Sequence, residues 1–478
     1  MVSAWAREEM ASADFGDLRL DDRAAVLLSA VGNCPNLSIP AACGGRAEMA
    51  AAYRFFDNPK VTFDTVLQSH RECTRQRLGE QEVALLVQDT SEIDLTRPQQ
   101  EVVGAGELDG SRQGVLLHAL HAFTPDGTPL GTAWARCLIR PEVSHVSKDG
   151  KRLRQKQTPI EQKESMRWVE GLRQTREIAA ALPGVQCICI GDSESDIYEC
   201  LAESRAVCEG GPAVYDWLIR GCHDRTLVDD SNPCNYLRER VLATKALYRA
   251  ELGVRERQAK TNVETWGRRQ NRRTRRARVE VRAATVTLRP PKRNDRELPP
   301  ITVNVVLVRE PNPPAGEVPI EWMLLTSLPI DTPEQVRKVV EYYCVRWNIE
   351  ILFRTLKGGC RVEHRRFEHI DRILPCMALY LIVAWRTLLV CRLGRECPDA
   401  DCETLFEPSE WKAVWVAVNR AKPPKKKPSL SQIVHLIAQL GGYVQRPSSE
   451  PGPQTIWIGL QRMYDLSWAW DAFGPEGI

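Results

Sequence analysis

YYCVRWNIEILFRTLKGG, residues 342 to 359, has the apolar rhythm of a helix, broken by Tyr343, Arg346, Glu350 and Lys357. At 100° per residue these four side chains share an arc of about 60°. Val345, Ile349, Leu352, Phe353 and Leu356 mostly fall on another face. Two readings fit the stripe. One is a solvated helix face whose i,i+4 charges contribute a few tenths of a kcal/mol. The other is a metal-binding glutamate flanked by a phenol and two cations that can take the neighbouring phosphates. Helical geometry alone does not choose between them.

Two further acids stand where packing explains a carboxylate poorly. In LLVQDTSEIDL, Asp89 falls at or near the end of an apolar strand; in VQCICIGDSESDIYECL, Asp192 ends another and heads a helix. A turn or cap aspartate is the plain reading of such a position. Side chains at strand ends of α/β folds also meet the cleft. VLLHALHAF and TPLGTAWARCLI are joined by a Pro-Asp-Gly turn and predict a hairpin between the two acids. A charged helical segment follows over 161–181. The order strand, hairpin, helix, strand is that of a ribonuclease-H-like core, in which two strand carboxylates and one helical carboxylate hold two divalent cations. Phosphodiester chemistry needs an activated attacking oxygen and a stabilised leaving oxygen, and two metals about 3.5 to 4 Å apart supply both. Mg²⁺ takes carboxylates, water and phosphate oxygens, so neither His nor Cys is needed.

The rest of the chain fits around that core. Residues 1 to about 75 predict helices decorated with Arg19, Arg23, Arg46, Arg54 and Lys60; 203–328 reads as a β-rich insertion; the end is helical and Trp-rich. The expected domains are therefore 1–75, 76–395 and 396–478. Net charge is only +3, so a nucleic-acid surface must come from local clustering, as in RRQNRRTRRAR at 268–278, which holds Arg272, Arg273 and Arg275. The 16 Cys residues show no C-x-x-C pair or zinc-like spacing and read as free thiols. The apolar run CMALYLIVAW stops at Arg386, too short for a membrane span. The expectation is a cytoplasmic protein, nucleoid-associated when bound to DNA, with no membrane partner.

The spacing Y-x-x-R-x-x-x-E-x-x-x-x-x-x-K resembles the signature of the IS4-family DDE transposases. LLVQDTSEIDL and IGDSESDIYECL resemble that family's two aspartate motifs, EMAAAYRFFDNPKVT its DNA-binding segment, VPIEWMLLTSLPI the strand before its catalytic helix and LGGYVQRP its C-terminal domain. The resemblance implies a ribonuclease-H-like α/β fold with helical N- and C-terminal domains. It implies that Asp89, Asp192 and Glu350 are the catalytic carboxylates and bind two Mg²⁺, with Mn²⁺ able to substitute. It further implies a homodimer acting on double-stranded transposon ends and target DNA. Cleavage would free a 3′-hydroxyl, close and open a DNA hairpin, and join the ends to the target. Trp322 would stack on a flipped base, with Tyr343, Arg346 and Lys357 clamping the backbone beside it; Trp347, off the stripe, reads as packing. Arg54 and Lys60 are candidates for the end, and Arg272, Arg273 and Arg275 for phosphate contact. Trp457, Trp468 and Trp470 resemble a dimerisation region and fit a core equally well. A structure-specific endonuclease on the same core and a catalytically silent DNA-binding or inhibitory relative remain the alternatives.

Overall fold

A computed structural model describes residues 2–141, 158–206, 215–228, 235–254, 273–293, 296–446 and 449–474. The chain forms two compact units that do not follow sequence order: Met1–His145 joins Trp347–Ile478, and Val146–Arg346 is the other. The expected boundary at residue 75 falls inside a helix.

The first unit opens with helices Ala4–Glu9, Leu18–Asn33, Ile39–Cys43, Arg46–Phe56 and Phe63–Gly79. Their starts are written in the sequence. Asp17 accepts the Arg19 N–H, and Thr62 and Thr65 cap each other's backbone reciprocally. Four strands follow: β1 (Val83–Asp94), β2 (Gly106–Asp109), β3 (Arg112–Phe123) and β4 (Pro129–Leu138). β3 pairs antiparallel with β1 from Leu85↔Phe123 to Asp94↔Gly114, and its other edge carries β4 and the short β2. The expected hairpin is β3–β4. Gly131, at φ +142°, lets a helix approach this sheet; a Cβ there would lie 2.0 Å from Thr74 Oγ1.

The helix Ile370–Glu396 carries the apolar run and is longer than the sequence reading allowed. It is the one helix among the described residues long and apolar enough to cross a membrane, but 89% of its apolar window is buried inside the protein. It packs as a core helix. Its C-terminal half meets helices Pro408–Asn419, Leu430–Leu440 and Pro453–Phe473 around Val390, Trp411, Ile433, Ile437, Ile456 and Met463.

The second unit is built on β5 (Gln186–Gly191), β6 (Asp216–Gly221), β7 (Tyr248–Val254), β8 (Arg275–Leu288), β9 (Ile301–Arg309) and β10 (Glu321–Thr326). Their order is β5-β6-β10-β9-β8-β7. Only β5 and β6 run parallel, with Ile188↔Asp216 and Gly191↔Ile219 in register. CICI is buried throughout, as a strand covered on both faces must be. The β-rich insertion extends this sheet as the antiparallel ribbon β7–β8–β9, and β10 inserts between β9 and β6. Helices Met166–Ala181, Tyr198–Ala206 and Pro333–Val345 belong to this unit. The last begins with a Thr332/Gln335 capping box and proline in its first turn.

Candidate active site

In the first unit Asp89 lies in the middle of β1, opposite Ala119, and not at a strand end as expected. The strand continues through TSEID, with Ile93 buried and its pairing with β3 running on to Asp94↔Gly114. Asp89 is half-buried, and its Oδ1 accepts the Thr90 N–H at 2.7 Å. On the opposite strand face His118 brackets the position: one ring nitrogen meets Thr90 Oγ1 at 2.8 Å, the other Gln88 Oε1 at 3.2 Å. That fully buried histidine stiffens β1 on both sides of the acid. Sequence reasoning missed it, since a histidine within an apolar strand gives no local sign of its partner.

Glu350 is half-buried on the helix Trp347–Arg354, which Ile349, Leu352 and Phe353 anchor in the core. The assumed single helix does not run to residue 359. It breaks at Arg346, where the two units divide, and Thr355–Gly359 winds as a π turn. The sequence stripe therefore resolves into the pair Tyr343 and Arg346 and the pair Glu350 and Lys357. π turns widen the helix and concentrate at functional sites. Lys357 sits in this one, its Nζ 3.8 Å from Glu363 Oε1, and that same oxygen accepts the Asp94 N–H at 3.0 Å. Gly359 leaves room for the Trp457 ring, which a Cβ would meet at 2.9 Å. Trp457 is thus a packing residue of the turn, while Trp468 is 72% exposed. Trp347, expected to pack, is 41% exposed because the helix turns it away from the core.

In the second unit the motif DSESD follows β5 directly, and its three acids do different work. Asp192 is half-buried and caps a short 3₁₀ turn, its Oδ1 accepting the Glu194 N–H at 2.8 Å. Glu194 pairs with Arg167 at 3.0 Å. Asp196 is buried and accepts the N–H groups of Cys222 (2.8 Å) and His223 (2.9 Å) and the Arg225 guanidinium. Asp196, Cys222 and His223 bring possible metal-ligand atoms within 4.8 Å of one another. The carboxylate of that set is already saturated by donors, so it ties the motif to the loop after β6.

Tyr343, whose hydroxyl feels the Asp192 charge, gathers other residues singled out in the sequence. The Trp322 and Tyr343 rings meet edge-on with centroids 5.7 Å apart. Burial pushes the Tyr343 phenol up; the Arg346 and Arg220 charges oppose this and the Asp192 charge adds to it. Arg346 is buried. Arg220, on β6 and paired in register with Leu324, is a cation that sequence reasoning overlooked. It is separated from Trp322 by 101 residues of the insertion and becomes a neighbour only through the β6–β10 pairing.

The remaining basic candidates divide. Arg54 and Arg273 are exposed; Lys60 is exposed and donates from Nζ to Gly16 O at 3.0 Å. Arg272 lies outside the described residues. Arg275 points inward, its guanidinium held by Glu310 and near Glu317, with 12% of its side chain exposed. It is committed to that ion pair, and sequence clustering with other arginines concealed it.

Asp89 and Glu350 in the first unit and Asp192 in the second are each half-buried carboxylates, hard-oxygen groups of the kind Mg²⁺ takes, and a backbone N–H orients one oxygen of each aspartate. Comparison with protein families extends this. A transposase DNA-binding model matches residues 2–61, a transposase DDE domain residues 216–384, and a transposase Tn5 dimerisation domain residues 382–467. Together these matches support a Tn5-like transposase. Its domains indicate DNA transposition by an enzyme of the nuclease/transposase class, with DNA binding at the front of the chain and dimerisation at the back. Of the three acids, Glu350 falls within the DDE match; Asp89 and Asp192 precede it.

Proposed function

We propose that this Tn5-like transposase is an IS4-family cut-and-paste enzyme with a ribonuclease-H-like core, in which Asp89, Asp192 and Glu350 hold two Mg²⁺, or Mn²⁺ in their place. The surroundings of Tyr343 carry the reading: its ring meets Trp322, and its hydroxyl feels the charges of Arg346, Arg220 and the half-buried Asp192 at the end of β5. Bound divalent cations supply an activated attacking oxygen and charge stabilisation for the leaving oxygen.

The chain's own residues do the rest. Trp322 offers an aromatic surface to a base extruded from a bent end. Arg346, Arg220 and Lys357 neutralise the phosphates on either side of it, and the Tyr343 hydroxyl fixes the distorted backbone. Arg54, Lys60 and Arg273 contact backbone phosphates further out. In the proposed sequence one strand is cut at each transposon end, the 3′-hydroxyl attacks the opposite strand to close a hairpin, water opens it, and the 3′ ends join target DNA. The enzyme acts as a homodimer that pairs two ends.

The test is a plasmid carrying the inverted repeats that flank the gene, incubated with the purified full chain and Mg²⁺. Nicks, hairpins and strand-transfer products are expected, and Asp89→Ala and Glu350→Ala should yield none. Nicking without strand transfer would favour a structure-specific endonuclease. End binding without nicking would favour a silent relative.

A further inference from the structure

After the π turn the chain reads CRVEHRRFEH, residues 360–369. With the 34–38 loop between two N-terminal helices it encloses a cavity of about 240 Å³, lined by Asn36, Ser38, Arg361, His364, Arg365 and Arg366. None of the six is acidic. The acid closest in sequence, Glu363, is engaged by the Asp94 N–H and Lys357.

Arg365 is 4% exposed and crosses between the two segments. It donates to Pro35 O at 2.7 Å and to Leu37 O and Cys360 O, and lies 4.3 Å over the Tyr380 ring. Its Nε finds no acceptor among the described residues. Arg361 holds a left-handed backbone, φ +49°, which side-chain-bearing residues rarely adopt and which marks functional sites when it persists. Arg97 reaches in behind, donating to Phe367 O and Arg365 O. Burial and the nearby Arg366 charge hold the Arg97 guanidinium below its ordinary value. Several cations are thus gathered without an acid among the lining residues, an arrangement that an anion relieves.

We propose that this cavity binds one backbone phosphate of DNA. Asn36 and Ser38 lie within the residues matched to the DNA-binding family, and Arg361, His364 and Arg366 follow Lys357 in the DDE match. A phosphate held between them couples DNA on the N-terminal helices to the segment that carries Lys357. The inference rests on the transposase reading above.

The test is the salt dependence of binding, with the full chain and a duplex carrying one flanking inverted repeat. Each phosphate neutralised contributes about −0.9 to the slope of log K against log salt. Arg361→Gln/Arg366→Gln should make that slope shallower by about 0.9. Arg361→Gly should weaken binding with Tm at or above wild type, since glycine accepts the left-handed backbone. An unchanged slope in the double variant overturns the proposal. If such a variant also loses a wild-type Tm rise in inorganic phosphate over chloride at equal ionic strength, the cavity takes free phosphate only, and the DNA assignment is overturned. A wild-type chain that binds no duplex overturns the transposase reading as well.

Discussion

The N-terminal core and the turn after β5 both crowd carboxylates among donors, and they leave them in different states. In the core, Glu9 is buried between His70 (2.5 Å) and Arg77 (2.7 Å). The Thr132 N–H donates to His70 Nε2 at 3.0 Å, so Nδ1 carries the proton that goes to Glu9. Arg77 in turn donates to Leu130 O and lies over Trp385. Burial raises the Glu9 carboxyl, but His70 and Arg77 outweigh it and hold it below its ordinary value. Each partner is oriented by another, and the network closes on itself. Asp196 is built the same way. Asp192, four residues earlier, keeps a partly exposed carboxylate with one oxygen on a backbone N–H. A closed network holds shape; a carboxylate with exposed oxygen can hold a ligand.

Substitution should separate the two designs. The largest effect belongs to Asp192→Asn. It should lower Mg²⁺-dependent cleavage by more than about 10²-fold, beyond what loss of a supporting neighbour of a metal ligand costs, with an unchanged urea midpoint. Glu9→Ala should do the reverse, costing about 4 kcal/mol in urea unfolding because Arg77 loses its buried counter-charge and the His70 N–H its acceptor. Asp196→Asn, which keeps the shape of the acceptor, should cost about 3 kcal/mol by stranding Arg225. An Asp196→Asn protein of normal stability, or an unstable Asp192→Asn protein, would break the comparison.

Much of the local structure was legible because short-range physics sets it. The Pro-Asp-Gly turn gave β3–β4, the apolar run gave the core helix, and CICIG gave a strand running into a capped turn at Asp192. What was not legible depends on partners distant in sequence. TSEID looked like a strand end because the apolar run stops at Val87, while pairing with β3 carries the strand on to Asp94. Arg275 looked like one of a row until Glu310, on the loop beyond β9, claimed it. His118 comes beside Asp89, and Arg220 beside the Trp322 strand, through strand register. No local pattern announces that residues 1–145 pack with 347–478 across a separate unit. The three acids stood out in the sequence by position and by motif resemblance; their differing surroundings depend on partners far along the chain.

A third buried acid sharpens the comparison from the opposite side. Glu410, on the C-terminal helix Pro408–Asn419, accepts the Glu407 N–H at 2.8 Å and, among the described residues, has no cation in contact comparable to Arg77. Burial pushes its carboxyl up to about 7, against the opposing pull of that N–H and of Arg386. The folded protein therefore keeps a proton that the unfolded chain gives up near 4.5. Stability from this site is full below 4.5 and is lost as pH rises towards about 7. Glu9 has the opposite sign: its contribution is present above 4.5 and is lost as pH falls. Glu410→Gln, which stays neutral and keeps an acceptor, should remove the decline between pH 5 and 7 and raise stability at pH 8 by roughly 2 to 3 kcal/mol. Urea unfolding across that range checks it. A decline of unchanged slope in the variant would place the titrating group elsewhere, and burial without a contacting cation would no longer distinguish Glu410 from Glu9.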